Sequence, residues 1–111
     1  MQCYQGYLEQ GNVLVLLRDG QPVPMVASAN SNDPRPVCWS WGVKDRYTEY
    51  TAFALLWDFC GLNLARQFYG RFAADSLAHM PIRDGWNFTL TAADIVAWMI
   101  RISSLQPQDM V

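Results

Sequence analysis

The pattern of apolar and polar positions changes period along the chain, and the change divides it into a strand-like half and a helical half. Gln2 to Leu8 carries Tyr4 and Tyr7 around Gly6, and Val13 to Leu17 is a run of β-branched residues and leucine; both predict strands. Gln10-Gly11-Asn12 between them has turn composition. Arg18-Asp19-Gly20-Gln21 contains Asp-Gly, a strong signal for a tight hairpin, because both central residues of that turn need positive φ. Pro22-Val23-Pro24-Met25-Val26 predicts an edge strand, since its two prolines cannot donate ladder bonds. Ala27 to Pro36 is rich in Ser, Asn and Pro and predicts a loop. Val37 to Trp41 predicts one more strand, closing at Gly42, with Val37, Trp39 and Trp41 on one face.

From Thr48 onward the spacing becomes helical. Thr48 is placed to cap a first helix, with Glu49 at its electropositive end. Ala52 to Trp57 is apolar all round, which predicts a helix buried on most sides, and Gly61 is placed to end it. A second helix is predicted from an Asn63 cap to a stop at Pro81. Its stripe is Leu64/Ala65, Phe68/Tyr69, Phe72/Ala73, Leu77 and Met80. Ile82 to Leu90 reads as a loop around Asp84-Gly85-Trp86. Thr91 and Asp94 form a capping box with Asp in the usual Glu position, and Ile95, Trp98, Met99 and Ile102 make the apolar face of a third helix. The tail Gln106–Asp109 is expected to fray. The whole predicts a single α+β domain over residues 1–111: a small antiparallel sheet of three to four strands packed against three helices.

Composition narrows the function classes. With 111 residues, 51% hydrophobic and 16% charged, the chain is long enough for a core without metals or disulfides and too apolar for disorder. A net charge of -2, with the acidic residues scattered singly, argues against direct nucleic-acid binding and against nucleic-acid mimicry alike. Cys3, Cys38 and Cys60 are widely spaced and read as reduced, mostly buried thiols. The first residues lack a basic stretch followed by an apolar one, and Tyr50 to Cys60 is too short to span a bilayer, so a cytoplasmic protein without a membrane segment is expected.

No catalytic residue, metal site or cofactor is assigned. The glycines stand alone rather than in a phosphate loop, and the single histidine, His79, falls near a helix end without a marked orienting partner. The segment Lys44, Asp45, Arg46 and Tyr47, with Asp33 and Arg35 in the preceding loop, is the candidate partner-binding surface. Arg and Tyr are favoured interface anchors, and mixed charge suits a protein better than a polyanion.

Trp41-Gly42, Ala52 to Leu56, Asp58, Ala65, Tyr69, Phe72, Met80-Pro81, Trp86, Leu90-Thr91, Asp94-Ile95 and Trp98, with Tyr4-Gln5-Gly6-Tyr7 at the start, resemble a family of short uncharacterised proteins of bacteria, phages and mobile elements, the domain of unknown function 6166. That family tends to carry a Gly-rich segment after the Trp-Gly pair, where this chain has Val43 to Thr48. The resemblance implies a fold and a genomic setting. With the residue reading, it leads to the expectation of a non-catalytic protein-binding module. Its concrete form is an anti-CRISPR-like inhibitor that sterically blocks a host effector complex. The alternatives are a nucleic-acid-binding accessory protein and a small enzyme or ligand-binding domain whose site assembles in space. A homodimer is a further option if an uncovered sheet face leaves Trp39 or Trp41 exposed.

Overall fold

The computed structural model describes residues 2–10, 13–23 and 38–105. In chain order the elements are β1 (Cys3–Glu9), β2 (Val13–Arg18), β3 (Gln21–Pro22), α1 (Arg46–Cys60), α2 (Leu62–Asp75), a 3-10 turn at Leu77–His79, β4 (Gly85–Thr91) and α3 (Ala92–Leu105). The four strands form one antiparallel sheet in the order β3-β2-β1-β4, so the chain has the expected α+β architecture.

The β2–β3 hairpin turns at Asp19 and Gly20, whose φ values of 51° and 83° are the positive pair that Asp-Gly tolerates. Pairing runs Leu17 to Pro22 and Arg18 to Gln21, and the Val23 N–H adds a 2.9 Å bond to the Leu16 carbonyl. The rest of the expected edge strand, residues 24–26, lies outside the described residues, as do the predicted loop and Val37. The segment after it departs from expectation. Residues 38–41 are not a strand, because their backbone groups find partners outside the sheet: the Ser40 N–H donates to Thr51 Oγ1 at 2.8 Å, and the Gly42 N–H donates to the Leu77 carbonyl at 2.8 Å. Trp39 and Trp41 are nonetheless both buried, so neither is the exposed patch anticipated for a dimer.

A second departure is β4, a seven-residue strand where a loop was expected. It pairs with β1 along its length, which a turn signal at Asp84-Gly85 cannot reveal. Phe88 lies directly across from Gly6, and a Cβ on Gly6 would overlap its ring, so the missing side chain makes the seat for Phe88.

The helices cover the face that carries Tyr4, Leu16 and Phe88. On α1, every residue from Tyr50 to Leu56 is buried, as an all-apolar helix requires. Gly61 ends it as expected, its N–H donating to the Trp57 carbonyl at 3.0 Å. Its start differs: the cap is Asp45, whose carboxylate accepts from the Thr48 N–H at 2.8 Å, whereas Thr48 is buried inside the first turn. α2 buries Ala65, Phe68, Phe72 and Ala73, but begins directly after Gly61 and stops at Asp75, well before Pro81. On α3 the expected face is confirmed: Ile95, Trp98 and Ile102 are buried, and Trp98 meets Phe72 edge to face at 5.0 Å. The capping box closes it, with Asp94 N–H to Thr91 Oγ1 at 3.1 Å and Thr91 N–H to Asp94 Oδ2 at 3.0 Å.

The Gly6–Phe88 fit yields a stability test. Gly6→Ala should cost about 1–3 kcal/mol in urea unfolding, the usual range for overpacking. Adding Phe88→Leu should make the Gly6 substitution less damaging, since the ring that the new methyl strikes is gone; a double-mutant cycle reads the coupling.

Candidate functional site

Polar side chains in the described residues are largely occupied by architecture. The Tyr4 hydroxyl donates to Asp58 Oδ2 at 2.6 Å, and Arg18 Nη1 pairs with Asp58 Oδ1 at 2.7 Å, so one carboxylate on α1 ties down β1 and β2 together. Burial, then the Asp58 carboxylate, pushes the Tyr4 phenol well above the ordinary tyrosine range. A phenol held neutral in this way donates a hydrogen bond and is a poor general base. Asp75 accepts from Trp98 Nε1 at 3.2 Å and lies 3.6 Å from Arg71. Asp19 accepts from the Cys3 N–H at 2.9 Å. His79 is exposed in the 3-10 turn rather than on α2. Among the described residues no group of three metal-ligating side chains converges.

The cysteines depart from the expected burial. Cys3 and Cys60 are half-buried and Cys38 is exposed, all as free thiols. Cys60 Sγ donates to the Leu56 carbonyl at 3.2 Å, and burial pushes its thiol above the usual range.

The predicted partner-binding residues divide into three groups. Asp33 and Arg35 lie outside the described residues. Lys44 is exposed beside exposed Val43. Asp45 is committed to capping α1, while Arg46 lies 4.9 Å over the Tyr47 ring and donates to its hydroxyl at 3.0 Å. The segment is therefore ordered by the start of a helix instead of forming an open loop.

A surface that residue spacing did not single out lies on the other face of the sheet. Pairing sets Val15 opposite Tyr7 and Tyr7 opposite Trp86, so these three form one row across β2, β1 and β4, on the side away from Tyr4 and Leu16. The Tyr7 and Trp86 rings meet at 4.8 Å in an edge-to-face arrangement. Trp86 is 52% exposed, and every other aromatic side chain among the described residues is buried or half-buried. Val13, 53% exposed, and Leu17 extend the apolar area along β2.

A bulge turns Trp86 outward. The register shifts between Gly6 and Tyr7, which leaves Asn87 as an extra residue in β4. Asn87 turns inward, where its Oδ1 accepts from Trp41 Nε1 at 2.9 Å and its Nδ2 donates to the carbonyls of Arg83 at 2.6 Å and Gly85 at 3.0 Å. The available signal was the alternation of Trp86, Phe88 and Leu90. Read as an unbroken strand, it would have put Trp86 on the same face as Phe88, inside.

Residues 4–101 match DUF6166, a family of unknown function, and the chain belongs to that family. No curated protein and no solved structure matches it.

Two measurements probe these polar commitments. Asp45→Ala should cost about 1 kcal/mol through the lost cap of α1, read by thermal or urea unfolding. Tyr4→Phe should cost about 1–3 kcal/mol at neutral pH, because Asp58 loses a charge-assisted bond. In the unfolded chain Tyr4 ionises near the ordinary phenol value of 10.0, while in the folded chain burial and the Asp58 carboxylate keep it neutral well beyond that. Its stabilisation is therefore complete below about pH 10 and is lost as pH rises beyond it, and Tyr4→Phe should flatten the alkaline fall in stability.

Proposed function

We propose that this DUF6166 chain is a non-catalytic protein-binding module whose contact surface is the sheet row Val15–Tyr7–Trp86, with Lys44, Arg46 and Tyr47 as a second contact. The half-exposed Trp86 carries the reading. A tryptophan on the surface of a folded domain forgoes stabilisation of about 25 cal/mol for each Å² of apolar area left in water, and a docked partner recovers it. Trp and Tyr also supply large contact areas at low cost in conformational entropy, and they dominate the residues whose truncation abolishes binding.

The non-catalytic part of the reading is supported by the carboxylates. Asp19, Asp45, Asp58, Asp75 and Asp94 each have a local partner that holds the fold. The concrete form of the module is a steric inhibitor of a host defence complex, a CRISPR effector being the first to test. A domain of this size can cover the roughly 800 Å² per partner that a specific interface requires.

Phage plating and co-purification test the proposal together. Expression in a CRISPR-immune host should restore plaque formation, and the tagged chain should retain an effector subunit in stoichiometric amount. Trp86→Ala should abolish both while the protein still melts cooperatively. A variant that loses neither, or a wild-type chain that retains no partner and leaves immunity intact, overturns it.

A further inference from the structure

α3 is apolar on two sides. Its inner side, with Ile95, Trp98 and Ile102, packs against the rings of Phe68 and Phe72. Its opposite side carries Ala93, Val96, Ala97 and Ile100, all exposed, with Val96 at 43% and Ile100 at 61%. These four positions follow helical spacing and form one stripe about two turns long. α2 differs: its solvent side presents Asn63, Arg66, Gln67 and Arg71, as a helix facing water does, with Leu64 as an apolar exception.

The charges beside the stripe indicate what would cover it. Asp94 and Arg101 are seven residues apart, so they lie on the same flank, one near each end. A two-fold axis perpendicular to a pair of helices keeps the flank and reverses the direction. It brings the Arg101 of each copy beside the Asp94 of the other, twice per pair. Parallel pairing about an axis along the helices would put the charged flanks of the two copies on opposite sides of the pair, where neither Asp94 nor Arg101 meets a charge of the other copy. Among the described residues Arg101 has no ion pair or hydrogen bond, and Asp94 uses one carboxylate oxygen on the Thr91 N–H. Ala93 and Ala97 let two helices approach closely. A lipid surface would favour a basic flank, which this helix lacks.

We infer that α3 is a self-association face: two copies pair antiparallel through Ala93, Val96, Ala97 and Ile100, with Arg101 of each copy beside Asp94 of the other. The stripe is short and its area falls below that of a standard interface, so the pairing is weak and depends on concentration. It is separate from the sheet row and leaves Trp86 free for another protein.

Sedimentation velocity on the full chain, across a wide concentration series, tests the inference. The mass should rise from one chain to two and stop there. Ile100→Asp should hold the protein at one chain throughout. Circular dichroism confirms its fold, and Val96→Lys serves as the second variant if Ile100→Asp does not fold. Arg101→Glu should raise the dissociation constant about tenfold, by replacing two attractions with two repulsions. Added salt should weaken the wild-type dimer and strengthen that of Arg101→Glu. A wild-type mass of one chain at every concentration overturns the inference, as does a dimer that survives both Ile100→Asp and Val96→Lys. A dimer lost in Trp86→Ala but kept in Ile100→Asp also overturns it, since association would then run through the sheet. A wild-type monomer that still binds an effector would leave the proposed function standing alone.

Discussion

Asn87 occupies the one position where β4 holds a residue more than β1, and its amide is buried. A buried amide must find hydrogen-bond partners, and this one finds three: the indole of Trp41 and the carbonyls of Arg83 and Gly85. That set anchors the segment leading into α1, and it holds the entry to β4. The Trp41 ring, so anchored, meets Phe88 edge to face at 4.9 Å, and Phe88 lies over the space left by Gly6. The bulge thus links the sheet to the buried side of the domain, and the same register shift turns Trp86 toward water. Stability and the candidate surface share one cause.

A second link runs through Asp58. It gathers Tyr4 from β1 and Arg18 from β2 onto α1, near the Asp19-Gly20 turn. A carboxylate with two strong partners orients the helix against the sheet at one end, as Asn87 and Trp41 do at another. In the described residues no buried side-chain nitrogen or oxygen lacks a partner. Of the seven large apolar side chains exposed among the described residues, four lie on the sheet and on α3, namely Val13, Trp86, Val96 and Ile100, while Val43, Leu64 and Ile82 lie elsewhere.

The helices were legible because their causes are local. An all-apolar run from Ala52 to Trp57, a stripe through Ala65, Phe68 and Phe72, and the Thr91–Asp94 box each act within a few residues. The Asp19-Gly20 turn is equally local. Thr48 and Asp45 show the limit: both residues can cap, and the choice went to Asp45 because Thr48 is taken into the core, where its hydroxyl lies 3.4 Å from that of Ser40. The predicted contact segment was legible as a cluster of Lys44, Asp45, Arg46 and Tyr47, but the commitment of Asp45 to α1 was not.

By itself, the order of residues determined the element types with short-range causes, the hairpin, the position of the buried helix and the α+β class. It could not determine β4 or the segment from Cys38 to Trp41. Whether an extended stretch joins a sheet depends on which strand reaches it through space, and β4 pairs with a strand some eighty residues earlier in the chain. Nor could it determine which face Trp86 occupies. Alternation along β4 places the ring inside; one extra residue, retained because Asn87 satisfies Trp41 in the core, places it outside. That choice belongs to the tertiary structure, because its energy comes from hydrogen bonds and ring contacts between segments that are distant in the chain.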